Sequence, residues 1–303
     1  MINNKKKVFI SATEQSGDNI GFNIINEINK NHNNIIFEGI GGNKMLPLLK
    51  NQFFSISDFK SIGIIEVLFS IKKYIKIINF LSKKIIENNY DLIITIDSPD
   101  FNYPLAKKIK KNNFSNKIIH IVAPSVWAWR SYRSRNFSKY FDELLALFQF
   151  EKKYFEIYNL KTTVIGHPIF YIKKNNFKIN NNKNIAFLPG SRLNEIEKLF
   201  PYYNIAYEYL YLNKPDINIF IPTLPHLKDL INKKVSNWKI NVIVETDLYL
   251  IEKHYSNTKN ALVCSGTASL EIAKRNIPQL IIYKLNFLTE LIAKNFINVK
   301  FAN

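Results

Sequence analysis

Short apolar runs alternate along this chain with longer stretches in which apolar residues recur every three or four positions. Runs at residues 7–12, 35–40, 92–96, 118–122, 144–148 and 162–165 predict strands. Residues 19–29, with Ile20, Ile24, Ile25 and Ile28 on one side, predict a helix. After His167 and Pro168 the pattern pauses in a Lys- and Asn-rich stretch, then resumes with strands expected at 185–188, 217–221, 240–244, 261–264 and 279–283. Strands alternating with helices imply parallel sheets covered on both faces. The chain is therefore expected to be α/β, with one domain over residues 1–168, a linker over 169–184 and a second domain over 185–303. Each domain would be a doubly wound parallel sheet binding ligands beyond the carboxyl ends of its strands, with a cleft where the two sets of strand ends face each other.

One helical stretch differs from the rest. Over residues 61–78, Ile65, Leu68, Phe69, Ile71, Tyr74, Ile75 and Ile78 form a wide apolar stripe beside Lys72, Lys73 and Lys76. A helix lying in a membrane interface needs such a face. A helix that packs on a core and turns its lysines to water shows the same pattern, and by the pattern alone that second reading is favoured.

Composition narrows the picture. A length of 303 residues with 47% hydrophobic content suits two cores. No apolar stretch reaches the roughly 20 residues that cross a bilayer, and the apolar run after Lys5-Lys6-Lys7 is too short for a signal peptide, so a cytoplasmic protein is expected. Cys264 is the single cysteine, which excludes an intrachain disulfide and a cysteine metal cage. The five histidines lack metal-ligand spacing, so neither a metal nor any other cofactor is expected. The net charge of +18 suits an anionic partner, yet much of it lies in Lys/Asn/Ile-rich segments without an Arg-rich run, and nucleic acid is not the expected partner.

The candidate chemistry falls at strand ends. Leu188-Pro189-Gly190-Ser191-Arg192 joins the strand at 185–188 to a helix expected over 195–212. Free N–H groups and the positive helix end there attract phosphate: Gly190 admits a close ligand, Ser191 caps the helix or bonds a phosphate oxygen, and Arg192 pairs with it. An ordinary turn with an exposed Arg is the alternative. Ser265-Gly266-Thr267, with Ser269 and Glu271, makes a second such turn, suited to a diphosphate and to ribose hydroxyls. Asp97 ends the apolar strand 92–96, where a carboxylate either takes a proton from a sugar hydroxyl or accepts loop N–H bonds, and Asp100 is placed to cap the next helix. Glu14, Ser16, Gly17 and Asp18 fill the first strand-to-helix turn, which is neither a dinucleotide fingerprint nor a P-loop. Trp127, Trp129 and Arg130 follow the strand at 118–122 and read as sugar or acyl contacts, or as packing.

In combination, Glu14-Gln15-Ser16-Gly17-Asp18, Gly39-Ile40-Gly41-Gly42, Gly63-Ile64-Ile65-Glu66-Val67-Leu68 and Ile96-Asp97-Ser98-Pro99-Asp100-Phe101-Asn102 are followed in order by four further motifs. These are Pro124-Ser125-Val126-Trp127-Ala128-Trp129-Arg130, Gly166-His167-Pro168, Leu188-Pro189-Gly190-Ser191-Arg192 and Ser265-Gly266-Thr267-Ala268-Ser269-Leu270-Glu271. This order resembles the lipid-A-disaccharide synthase family over essentially the whole chain, and the Pro-Ser-Val-Trp-Ala-Trp run is its most specific part.

The resemblance implies a GT-B glycosyltransferase with two Rossmann-like domains. It would join UDP-2,3-diacylglucosamine to 2,3-diacylglucosamine 1-phosphate (lipid X), with inversion, giving a β-1,6 disaccharide 1-phosphate and UDP. By the same resemblance, Asp97 is the base and Arg192 stabilises departing UDP. Gly190, Ser191, Ser265, Gly266, Thr267 and Glu271 hold the donor, while Glu14, Ser16, Trp127, Trp129 and Arg130 hold the acceptor. It also reverses the reading of the 61–78 helix, placing Ile65, Leu68, Ile71, Tyr74 and Ile75 against the cytoplasmic face of the inner membrane. Two departures stand out: Thr13 replaces a usual Gly, and the sequence stops at Asn303 where family members continue, so a C-terminally truncated form is expected. Two readings compete with the transferase: a non-catalytic membrane-surface binder, and another GT-B enzyme acting on UDP-N-acetylglucosamine. Oligomeric state is left open.

Overall fold

The computed structural model describes residues 5–59, 64–127, 132–171 and 183–284, with the side chains of 64–71 and 171 outside the description. The chain divides into two compact units, Met1–Pro168 and Ile169–Asn303.

In the first unit the elements run β1 (Lys6–Ala12), α1 (Gln15–Asn31), β2 (Ile35–Gly41), β3 (Asn51–Ser55), α2 (Ile64–Asn88), β4 (Leu92–Ile96), α3 (Pro99–Lys111), β5 (Lys117–Ile121), α4 (Tyr132–Phe137), β6 (Glu143–Ala146), α5 (Gln149–Glu156) and β7 (Lys161–Val164). The seven strands form one parallel sheet in the order β3-β2-β1-β4-β5-β6-β7. Its strands are apolar on both faces because both faces are covered. Phe9, Ile93, Ile118 and Leu144 pack with Leu81 of α2 and Leu105 and Ile109 of α3. Val8, Ile10, Phe37, Ile94 and Ile96 pack on the other side with Ile25 of α1.

The second unit repeats the scheme on a smaller scale. It comprises β8 (Asn184–Leu188), α6 (Leu193–Asn213), β9 (Asn218–Pro222), α7 (Lys228–Val235), β10 (Val242–Glu245), α8 (Leu248–Tyr255), β11 (Thr258–Cys264), α9 (Thr267–Lys274) and β12 (Gln279–Ile282). The parallel strand order is β10-β9-β8-β11-β12. Phe187, Ile219, Ile221 and Leu262 pack against Ile196, Leu199 and Tyr203 of α6, while Ala186, Phe220 and Val263 meet Tyr255 and Ile272 on the opposite face.

In both sheets the order in which strands are added reverses beside the first strand, at β1/β4 and at β8/β11. In open α/β sheets such a reversal opens the crevice in which ligands bind. The residues singled out at strand ends cluster there: Glu14 after β1 and Asp97 after β4, Gly190 after β8 and Gly266 after β11.

Three features depart from the apolar pattern. β3 went unforeseen because Asn51 and Gln52 interrupt its apolar signal; it is an edge strand whose Asn51 amide donates to Glu38 of β2. β6 ends at Ala146, two residues earlier than expected, because the buried Glu151 carboxylate accepts the N–H groups of Leu147 and Phe148, both at 2.9 Å, and starts α5 there. At the expected linker, Pro168–Tyr171 forms a 3-10 turn with Ile169 buried, and β8 begins at Asn184; the residues between, 172–182, lie outside the described ones. Among the described residues no helix is long and apolar enough to cross a membrane.

Candidate active site

Asp97 stands at the tip of β4, and its N–H still donates to Ile121 of β5 at 2.8 Å. The chain then turns through two consecutive non-glycine residues with positive φ, Asp97 at 52° and Ser98 at 46°. Such conformations are costly and persist only where the surroundings fix them. Asn102, fully buried on α3, supplies the fixing: its amide donates to the carbonyls of Asp97 at 2.7 Å and Ile96 at 3.3 Å, and its oxygen accepts the Ser11 hydroxyl of β1 at 2.9 Å. The Asp97 carboxylate itself accepts the Ser98 N–H at 2.8 Å. Burial pushes this carboxyl above its ordinary value; the Ser98 N–H and the Ser16 hydroxyl oppose the shift, and the negative charge of Glu14 adds to it.

The turn after β1 faces the same carboxylate. Glu14 is exposed at the start of α1 and accepts the Ser98 hydroxyl at 3.3 Å, so Glu14, Ser16 and Asp97 come together. Asp18 does not join them. It is fully buried, and its carboxylate accepts N–H groups from Gly42 at 2.7 Å, Lys44 at 3.1 Å and Met45 at 3.1 Å, tying α1 to the loop after β2. Asp100 does not cap α3 as expected: Ser98 holds the capping position, and Asp100, the second residue of the helix, pairs with Arg133 of α4. Trp127 is partly buried against the first core and meets Phe150 edge to face. Trp129 and Arg130 lie outside the described residues.

In the second unit the β8 turn runs through Gly190 at φ 114°, a backbone that side chains rarely adopt. A Cβ there would lie 2.8 Å from the Glu195 carboxylate and 3.0 Å from its Cβ. Ser191 is not the cap; Arg192 is, without a side-chain bond to the helix's first N–H groups, and α6 starts two residues before its expected beginning. The Arg192 guanidinium is 72% exposed and meets Glu195 at 3.0 Å. An exposed pair of this kind contributes little stability and is easily exchanged for an anionic ligand. Above it, the first turn of α6 leaves N–H groups without partners inside the helix. Cys264, at the end of β11, sits against this turn, and burial with the nearby Glu195 charge raises its thiol to about 11, which keeps it protonated at neutral pH.

The β11 turn is built alike. Gly266 caps α9, and among the described residues beyond its chain neighbours no atom lies within 4 Å of where a Cβ would stand. Ser269 turns inward and donates to the Gly266 carbonyl at 2.7 Å, fixing the turn rather than facing a ligand. Glu271 is half-buried; burial raises its carboxyl, Arg275 opposes the shift and Glu252 adds to it. Arg275 in turn pairs with Glu252 and lies over the Tyr255 ring at 4.5 Å.

On α2, Ile75 is 53% exposed and Lys72, Lys73 and Lys76 are exposed, whereas Tyr74 faces inward. Its ring meets Phe59 and Phe101, and its hydroxyl donates to the Phe59 carbonyl at 2.9 Å, which removes Tyr74 from the apolar face proposed for a membrane. The side chains of Ile65, Leu68 and Ile71 lie outside the described residues. Among the described residues no cluster of His, Cys, Asp and Glu is arranged to hold a metal ion.

Two doubly wound parallel units with phosphate-suited turns at the switch point of the second define a protein of the GT-B class. Solved structures share this fold: UDP-GlcNAc 2-epimerase from Neisseria meningitidis, bound to UDP-GlcNAc, at TM-score 0.61 and 15% identity over 95% of this chain and 84% of that one, and MurG of Acinetobacter baumannii at TM-score 0.59 and 11% identity over 96% and 82%. The sequence model described as Lipid-A-disaccharide synthetase matches residues 8–303. Lipid-A-disaccharide synthase of Rickettsia typhi is 35% identical, covering 98% of this chain and 80% of the relative, and that of Rhodospirillum centenum is 30% identical, covering 98% and 77%. The chain belongs to the lipid-A-disaccharide synthase family, glycosyltransferases of lipid A synthesis.

Proposed function

We propose that the protein condenses UDP-2,3-diacylglucosamine with 2,3-diacylglucosamine 1-phosphate, releasing UDP and forming the β-1,6-linked disaccharide 1-phosphate. The observation that carries this reading is the Asp97 turn: its backbone is held by Asn102 at the switch point of the sheet, and its carboxylate accepts the Ser98 N–H and has its proton affinity raised by burial. Asp97 accepts the proton of the acceptor's 6-hydroxyl as that oxygen attacks the anomeric carbon from the face opposite UDP. The carbon–oxygen bond to the diphosphate breaks, and the anomeric configuration inverts. Glu14 and Ser16 border the acceptor hydroxyl, and Trp127, Trp129 and Arg130 belong to the acceptor side of the reading.

Charge then develops on the leaving diphosphate. Gly190, Ser191 and the first N–H groups of α6 point at it, Arg192 exchanges Glu195 for it, and Ser265, Gly266 and Thr267 complete the cradle, with Glu271 assigned to the ribose hydroxyls. Fixed donors aimed at developing charge are the larger catalytic lever. The acylated substrates come from a bilayer, and the exposed Ile75 with its neighbouring lysines suits association with an anionic membrane surface.

UDP release from the two substrates in mixed micelles tests the assignment. Asp97→Asn is expected to lower kcat by about 10²–10⁴-fold and Arg192→Ala by about 10²–10³-fold, with unchanged circular dichroism. Near-normal turnover in either variant removes that residue from its role, and turnover of unacylated UDP-N-acetylglucosamine at a comparable rate would replace the donor.

A further inference from the structure

Four aromatic rings form a chain of contacts in the loops that follow the carboxyl ends of strands in the first sheet. Trp127 follows β5, Phe148 and Phe150 follow β6, and His167 follows β7. Trp127 meets Phe150 at 4.9 Å between centroids, Phe150 meets Phe148 at 5.7 Å, and Phe148 meets His167 at 5.7 Å. The loops start level with one another, because the ladder continues past the strand ends through Asp97 N–H to Ile121, Val122 N–H to Leu145 and Ile165 N–H to Ala146. The row therefore begins one strand away from Asp97 and runs outward for about two strand spacings, roughly 10 Å.

Its construction argues for what it touches. Phe148 lies between Phe150 and His167 with interplanar angles of 18° and 27°, so its faces are taken up by neighbouring rings. A pyranose ring stacks on an open aromatic face; partly buried rings in mutual contact with one exposed phenyl instead make an apolar track. Phe150 is 46% exposed on that track although it stands at the rigid start of a helix held by buried Glu151. Burial keeps His167 below its ordinary value, which favours the neutral ring.

The geometry points to Trp127, Phe150, Phe148 and His167 as a track for a fatty acyl chain of the acceptor, continuous with the Asp97 turn. This rests on the acceptor assignment above and extends it from the reacting hydroxyl to the hydrocarbon. A methylene chain gains affinity with each buried carbon, so the track reads chain length whereas the Asp97 turn does not.

Direct binding of 2,3-diacylglucosamine 1-phosphate, without donor, in fixed mixed micelles tests the track apart from turnover. Acceptors with acyl chains of four, eight and fourteen carbons are compared on the wild-type chain, Phe150→Ser and Phe150→Leu. Phe150→Ser is expected to weaken binding of the longest acceptor about tenfold and of the shortest hardly at all, with Phe150→Leu restoring most of the loss. UDP affinity should stay unchanged in both. Equal losses at every chain length, or no loss at any, overturn the track. Failure of the wild-type chain to bind any acceptor overturns the acceptor assignment and the track with it.

Discussion

Asp97 differs from other loop carboxylates in what surrounds it. Burial and the Glu14 charge both favour its proton, so the acid limb of kcat/KM is expected above the ordinary carboxylate range, with activity rising as Asp97 ionises. Glu14→Gln removes one of those causes, makes ionisation easier and should move the limb to lower pH. A limb that stays put would mean that the Glu14 charge does not reach the base. Asp97 itself was legible in the sequence because it closes an unbroken apolar strand. Its support was not: Asn102 falls in the first turn of a helix, where Asn is unremarkable, and only the fold brings Ser11 from 91 residues away to hold it. Phe150 was hidden for a similar reason, since nothing in sequence separates an exposed ring from a buried one.

Among the elements, the strands were the most legible, because a strand buried on both faces leaves a continuous apolar run. Turns were less so. The β8 turn reads in sequence as a phosphate site or an ordinary turn, and its capping residue is Arg192 rather than Ser191; Gly190 takes φ 114° and Glu195 folds back beneath it. Gly190→Ala therefore combines an unfavourable backbone with a contact of 2.8 Å. The expected result is at least a tenfold weaker affinity for UDP by calorimetry, with a lower thermal midpoint for the second unit. Unchanged UDP affinity would remove this turn from the donor site. The boundary of β6 shows the opposite case, in which a single carboxylate overrides an apolar run: Phe148 continues the pattern, but Glu151 takes its N–H and begins a helix.

At the scale of the molecule, each unit carries its own core, and the first holds a histidine inside its own. His120 of β5 is fully buried beside Phe137 and Phe141, 2.7 Å from the Thr95 hydroxyl, and burial pushes it down to about 3. Well above pH 6.5 neither the folded nor the unfolded chain protonates it, and its contribution to stability is complete. As pH falls from 6.5 toward 3 the unfolded chain takes up a proton that the folded one refuses, which costs about 1.4 kcal/mol per pH unit well below 6.5. The thermal midpoint of the first unit should fall between pH 7.5 and pH 5, and His120→Leu should flatten that slope whatever its absolute midpoint. An equal slope in the variant would place the acid sensitivity elsewhere. The alternating α/β order and the two-part division were visible in the sequence, whereas this buried histidine was one of five scattered along it.

The backbone turns at Gly190 and Gly266 have one more consequence. A peptide N–H is common to every amino acid except proline, so a point mutation seldom deletes it. On the donor assignment proposed above, an inhibitor that mimics a diphosphate and is gripped by those groups leaves few routes to resistance: changing a side chain leaves the grip in place, and reshaping the turn damages donor binding as well.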